Sequence, residues 1–246
     1  AVSAGIENLI FITGRNKSSI QNHFDTAYEI ETELEIKNRQ KELNLIRNII
    51  PSNVKCIYIR QNQALGLGHA VLCAKPAVGC NPFAVILADD MILSSKSCLS
   101  QMVEKYENLN SSIIAVERVE KEFLHKYGVI EGKKNSTTDW LLSNIVEKPD
   151  NNLAPSEMGV VGRYILNPSI FDILENTKEG SGGEIQLTDA IATQISNEKV
   201  YAYEFEGKRF DCGSKLGFLE ATIEYGLNHK ELSGDLRDYI KNMNIK

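Results

Sequence analysis

Phe83-Ala-Val-Ile-Leu-Ala-Asp-Asp90 decides the fold: an unbroken apolar run that ends on two carboxylates. Such a run suits a strand buried on both faces, and in an open α/β sheet ligands bind in the crevice beyond the carboxyl ends of the strands. On its N-terminal side, Asn8-Leu-Ile-Phe-Ile-Thr13 is another continuous apolar run, followed by a turn and short helix over 16–24. Residues 27–50 then read as one long helix. Ile30, Leu34, Ile46 and Ile50 recur at near-helical spacing, Glu33/Lys37 and Glu35/Arg39 are set for i,i+4 pairing, and Pro51 ends the segment. Strands at 54–60, 83–87 and 112–116 alternate with helices at 68–75 and 97–109, which predicts a doubly wound α/β fold on a mainly parallel, mixed sheet. After Tyr127 the rhythm changes. Strands at 127–131, 140–146 and 159–166 follow one another with short turns, as in an antiparallel or mixed section. Helices at 168–175 and 184–196, a strand at 200–205, and helices at 214–228 and 234–243 finish the chain.

A chain of 246 residues can bury a full core, and no linker, low-complexity tract or internal repeat divides it, so a single domain over 1–246 is expected. No apolar run approaches the length that crosses a bilayer and no charged-then-apolar leader is seen, which predicts a soluble, cytoplasmic protein. The five cysteines are scattered, with no C-x-x-C pair, and are expected to be reduced, buried small hydrophobes. A net charge of −6 argues against a nucleic-acid backbone as partner. An anionic ligand must instead be met by local cations and backbone amides.

Several strand ends carry the chemistry. Asp89 follows the run 83–88 and is placed to hold a hard cation, although Asp89-Asp90 alone reads equally as a turn cap. Asp211 repeats the pattern after a strand at 200–205 and Lys208-Arg-Phe210. In Gln61-Asn-Gln-Ala-Leu-Gly-Leu-Gly-His69, the Gln61 amide matches the edge of a pyrimidine, and Gly66 and Gly68 allow close backbone approach, while His69 reads as a packed helix residue. Ile145-Val-Glu-Lys-Pro149 ends an apolar strand in charge: Glu147 can grip sugar hydroxyls and Lys148 can reach a phosphate, with Pro149 biasing Lys148 toward an extended backbone, although on its own the stretch reads as a solvated turn. Gly128 and the Val160-Val161-Gly162 run would let backbone meet a pyranose, or are ordinary strand glycines and core valines. Glu184 and Asp189, in Gly182-Gly-Glu-Ile-Gln-Leu-Thr-Asp189, are assigned a supporting role.

Taken together with Asn22-His-Phe-Asp25, Val161-Gly-Arg-Tyr164 and Asp211-Cys-Gly213, these motifs resemble the bacterial UTP:glucose-1-phosphate uridylyltransferases (UDP-glucose pyrophosphorylases), within the wider sugar-nucleotidyltransferase family, over essentially the whole length. The resemblance implies a Rossmann-like nucleotidyltransferase fold, with 1–120 mainly nucleotide-binding, 121–213 mainly sugar-binding and 214–246 C-terminal helices. It implies transfer of UMP from UTP to glucose 1-phosphate, giving UDP-glucose and pyrophosphate. Gln61 and Gly66 would read uracil, Asp89 and Asp211 would hold Mg²⁺, Glu147 would contact glucose hydroxyls, Lys148 would bind glucose 1-phosphate, and Gly128 and Val161 would line the sugar pocket. A homodimer or homotetramer is implied as well.

This chain departs from that family at two places. The Gly-rich turn bearing an arginine, and the lysine that accompanies it, are not present ahead of the first strand, so the first strand of the fold is expected to be missing and the chain alone to be an impaired catalyst. Leu65 stands where members often carry lysine. A catalytically silent, nucleotide-sugar-binding relative and a subunit used for regulation or assembly are the rival readings.

Overall fold

The computed structural model describes residues 1–243. β1 (Asn8–Thr13) leads into three short helices, α1 (Ser18–Phe24), α2 (Tyr28–Ile36) and α3 (Gln40–Arg47), before β2 (Lys55–Arg60) returns beside β1. The two strands run parallel, from Asn8 opposite Lys55 to Thr13 opposite Arg60. The single helix expected over 27–50 is therefore two. Asn38 turns the chain at φ 53°, a left-handed conformation that asparagine tolerates better than most residues, and the Arg39 N–H donates to Leu34 O at 2.9 Å. Folding back brings Arg47 to Glu31 and Glu35, at 2.7 and 2.6 Å. The Glu33–Lys37 pair forms as expected, but Arg39 turns to Glu42 instead of Glu35. Apolar residues can recur at near-helical spacing across two successive helices as they do along one, so the period alone did not reveal the break.

The chain continues through α4 (Leu67–Cys73), α5 (Lys75–Val78), β3 (Phe83–Ile86), β4 (Asp90–Leu93), α6 (Cys98–Leu109) and β5 (Ser112–Arg118). Next come β6 (Gly128–Lys134), β7 (Asp139–Glu147), β8 (Met158–Leu166), α7 (Ser169–Asn176), α8 (Leu187–Asn197), β9 (Val200–Glu204), β10 (Lys208–Asp211), α9 (Lys215–Asn228) and α10 (Ser233–Lys241). Ser97 caps α6 by accepting from the Ser100 N–H, and Ser214 caps α9 from Gly217 N–H. The helix expected over 184–196 starts only at Leu187. The residues before it stay extended, and Ile185 exchanges backbone hydrogen bonds with the Leu65–Gly68 turn, N–H to Leu65 O and O from Gly68 N–H, both 2.8 Å.

Six strands form the main sheet in the order β3-β8-β5-β9-β7-β6, and β4 pairs with β10 apart from it. The fold is α/β on a mixed sheet, as the alternation predicts, but parallel pairing is the minority among the described residues. Only β1–β2 and β5–β9 run parallel, because β7 and β8, joined by a short connection, insert antiparallel among the crossover strands. Helices cover both faces. Ile114 and Val116 of β5 point into one core with Val71, Phe171 and Ile191. Ile113 and Ala115 point into a second core with Cys98, Leu99 and Met102 of α6. This period-two division buries every apolar side chain of the strand, at about 1.5–3 kcal/mol for each large one.

Candidate active site

β8 divides one of its edges between two partners. Residues 163–166 pair with β3, and Gly159 pairs with Val129 of β6. Between them the strand faces a gap at Val160 and Val161, and the lips of that gap are the ends of other strands. On one side the chain leaves β3 through Leu87, whose N–H donates to Gly162 O at 2.9 Å, and reaches Asp89 and Asp90. On the other side β6 begins at Gly128, opposite Glu147 at the end of β7. The resulting cleft of about 380 Å³ is lined by Asp89, Gly128, Glu147, Lys148, Val161 and Asp211, six of the residues named from sequence. A larger open groove of about 660 Å³ lies along α7 and α8 and holds Asp189, but no strand end contributes to it.

Asp89 and Asp211 converge as expected. Cys212 N–H donates to Asp89 O at 2.8 Å, and a Cβ placed on Gly213 would sit 3.0 Å from Asp211 Oδ1 and 3.4 Å from Asp89 Oδ2. Both carboxylates are exposed to the cleft. Asp90 has another task. It is buried, its Oδ2 accepts from Gly162 N–H at 2.5 Å, and its Oδ1 accepts from Arg209 Nε at 2.5 Å. Of the adjacent pair, Asp90 is thus structural and Asp89 is free to face a ligand. Among the described residues no three His, Cys, Asp or Glu side chains gather as a closed metal cage. Two cleft carboxylates are nonetheless the donor set that suits a hard divalent cation sharing its remaining positions with water and phosphate oxygens.

Glu147 is fixed by two partners, accepting from Thr188 Oγ1 at 2.8 Å and lying 3.3 Å from Lys148 Nζ. Gly128 is small by necessity, since a Cβ there would meet Thr188 Cγ2 at 2.9 Å. Lys148 is not extended, contrary to the expectation from Pro149. Its φ is 45°, held by its N–H donating to Tyr127 O at 3.0 Å with Pro149 buried behind it. A non-glycine residue kept left-handed is strained by about 1–2 kcal/mol, and such strain clusters at functional positions. Val161 lines the cleft, yet its side chain is 2 % exposed and belongs to the core shared with α6.

Gln61 and Gly66 stand at the neighbouring end of β2, outside the residues that line the cleft, although Leu67 lines it. They are tied to it through Gly66, which at φ 92° packs so closely that a Cβ would come 2.7 Å from Glu184 Cβ. Glu184 does line the cleft. Asp189 lies in the adjacent groove, and burial and then the charge of Glu147 raise its pKa above the usual carboxylate value.

The sequence reading passed over Arg209. Its guanidinium binds Asp90, Glu117 at 2.8 Å and Tyr127 OH at 3.1 Å, and lies 5.2 Å from the Tyr127 ring centroid. Burial alone would lower its pKa, but Asp90, Tyr127 and Glu117 outweigh that and hold it higher still, as a permanent cation at the cleft wall. Burial raises the Glu117 carboxyl despite the pull of Arg209. The missed signal was the lone arginine two residues before Asp211. Of the cysteines, only Cys98 is buried, with its thiol pushed up to about 12 by burial; Cys80 is exposed and the others are half-buried, so the expected uniform burial does not hold. No helix among the described residues is long and apolar enough to cross a membrane.

Comparison with known proteins is consistent with this geometry. The nucleotidyl transferase family model matches residues 1–226. UTP–glucose-1-phosphate uridylyltransferase of Staphylococcus epidermidis is 43% identical over 245 residues, covering 100% of this chain and 85% of that protein. The enzyme of the same name from Bacillus subtilis is 43% identical over 99% of this chain and 83% of its own length. Among solved structures, a UTP-bound UGPase from Acinetobacter baumannii superposes with a TM-score of 0.92 at 42% identity, over 99% of this chain and 85% of that one. A UDP-glucose pyrophosphorylase complexed with UDP-glucose gives 0.84 at 44% identity, over 93% and 84%. With strand ends converging on one cleft and similarity running along nearly its whole length, the chain belongs to the nucleotidyl transferase family.

Proposed function

We propose that this chain transfers UMP from UTP to glucose 1-phosphate, forming UDP-glucose and releasing pyrophosphate. The observation that carries the reading is the opposition, across one cleft, of the Asp89–Asp211 pair and the Glu147–Lys148 pair. The first pair can meet the triphosphate through a cation, and the second can hold a sugar phosphate. Relatives more than 40% identical carry the name of this activity.

In the proposed reaction an oxygen of glucose 1-phosphate attacks the α-phosphorus of UTP. The new P–O bond forms as the bond to pyrophosphate breaks on the opposite side. The attacking monoester is largely a dianion at neutral pH, its second pKa being about 6, so no side chain need remove a proton. Catalysis is then alignment and charge neutralisation. Lys148 neutralises the incoming phosphate, and its strained backbone keeps the ammonium beside Glu147. Glu147, oriented by Thr188, accepts hydrogen bonds from glucose hydroxyls. Gly128 and the Val161 backbone border the pyranose, and Gln61 and Gly66 read uracil. Asp89 and Asp211 would hold Mg²⁺, which supplies positive charge at the phosphate oxygens. We further propose that residues 1–246 act as one nucleotidyltransferase domain with a nucleotide half (1–120), a sugar section (121–213) and C-terminal helices (214–246), of which 244–246 lie outside the described residues. It would work in the cytoplasm as a homodimer or homotetramer.

Calorimetric titration of the 246-residue chain with UDP-glucose and with ADP-glucose, both with Mg²⁺, tests the reading. Selective binding of UDP-glucose is expected. Equal affinity would remove the uridylyl assignment, and no binding to folded protein would move the assembly reading ahead.

A further inference from the structure

His69 plays no part in the chemistry above, yet it touches the one side chain proposed to read the base. Gln61 follows β2, its backbone N–H fixed on Thr13 O at 3.0 Å. Its side-chain nitrogen lies 3.1 Å from Gly66 O and 3.0 Å from His69 Nδ1 on α4. The Gly66 carbonyl accepts only, so the atom facing it must be the amide NH₂ and not the amide oxygen. The second hydrogen of that NH₂ then points at His69. Nδ1 must therefore be the unprotonated nitrogen of a neutral ring whose proton sits on Nε2.

Both amide donors are thus committed inside the protein, while Gln61 Oε1 has no hydrogen-bonding partner among the described residues. We infer that His69 is a positioning residue for base selection: with the Gly66 carbonyl holding one amide hydrogen, it engages the other, so that Gln61 offers a ligand an acceptor and no donor. The inference rests on the reading of Gln61 as a base contact proposed above. An acceptor-only face suits a pyrimidine whose ring N3 carries hydrogen, as in uracil. It repels cytosine, whose N3 presents a lone pair to the same atom. Discrimination between the two bases is then set not by Gln61 alone but by the two acceptors behind it, the Gly66 carbonyl and the neutral imidazole, which together hold its amide in one orientation.

The test compares the dissociation constants of UDP-glucose and CDP-glucose, with Mg²⁺, for the unaltered chain, His69→Leu, His69→Gln and Gln61→Ala. His69→Leu should lower the preference for UDP-glucose by about tenfold, the scale of one misdirected hydrogen bond in a partly buried site. His69→Gln, which restores an acceptor, should recover most of the preference. Parallel weakening of both ligands in His69→Leu, or an unchanged ratio, overturns the inference if Gln61→Ala still abolishes the preference. An unchanged ratio in Gln61→Ala shows instead that the base contact itself is misassigned. A measurement on the unaltered chain needs no variant to fold: long-range ¹⁵N–¹H correlation should find the His69 proton on Nε2, and a proton on Nδ1 would also overturn the inference.

Discussion

Lys148 and Arg209 divide the cationic work of the cleft. Lys148 is half-exposed beside Glu147 at the cleft, whereas Arg209 is 9 % exposed and clamped between Asp90 and Glu117. Lys148→Ala should therefore leave stability nearly unchanged and remove most turnover in any context where the enzyme is active. Retained kcat with unaltered KM for glucose 1-phosphate would end the role given to this residue. Arg209→Ala should do the reverse of a local effect. It strands the buried Asp90 carboxylate, and breaking a buried pair from one side costs about 3–5 kcal/mol, readable as a lower urea midpoint. Because Arg209 also ties the β4–β10 pair to Glu117 and Tyr127, Asp89 and Asp211 should shift together against Glu147 and Lys148 and weaken Mg²⁺-dependent binding of UDP-glucose. Asp189 gives a pH-dependent case. Burial and Glu147 raise its folded pKa, so the ionised form burdens the folded state at neutral pH and the burden disappears once pH falls below the unfolded carboxylate value. Asp189→Asn should raise Tm at pH 7 and make no difference near pH 3; a lower Tm at pH 7 would contradict the sign.

At the scale of elements, legibility depended on whether a signal was local. The Phe83 run, the helices starting near 97 and 214 and the Glu147–Lys148 strand end are contiguous in sequence and were readable there. The break at Asn38 was not, because helical period survives a hairpin and only a φ of 53° separates the two cases. The conformation of Lys148 was hidden for the opposite reason: proline's local preference was overruled by a hydrogen bond to Tyr127, a residue 21 positions earlier. Arg209 acts through partners on β4 and β5 and on the turn before β6, so nothing near it in sequence announced the clamp. The hairpin itself is testable. Asn38→Val places a β-branched residue in the left-handed region and should cost about 1–2 kcal/mol, while Asn38→Gly should be near neutral. An indifferent Asn38→Val would mean that the turn relaxes and that α2 and α3 are not fixed by it.

The whole molecule is built unevenly about its cleft. β5, β8 and β9 are buried on both faces, with Ile113, Ile114, Val116, Leu166, Val200 and Ala202 almost fully excluded from solvent. The β1–β2 pair forms a separate two-stranded sheet, and of its companions α2 and α3 only Leu34 and Leu43 are buried, while Tyr28, Ile36 and Leu45 are largely exposed. Ile10 and Ile12 connect this unit to the main core as half-buried side chains. Local opening free energies follow buried apolar contact, so residues 8–60 should open before the six-stranded sheet. This matters for function because Gln61 hangs from β2 while Asp89, Glu147 and Lys148 belong to strands of the main sheet or the turns that end them: base recognition and phosphate chemistry sit on two units of unequal stability. Hydrogen–deuterium exchange of the free chain should show amides of β1, β2, α2 and α3 exchanging well before those of β5 and β8. UDP-glucose with Mg²⁺ touches both units in the proposed mode, so its binding should slow exchange in β1 and β2 most, since only their open state is readily populated without ligand. Uniform exchange across both units, or protection by ligand confined to the main sheet, would show that the β1–β2 unit is already locked or takes no part in binding.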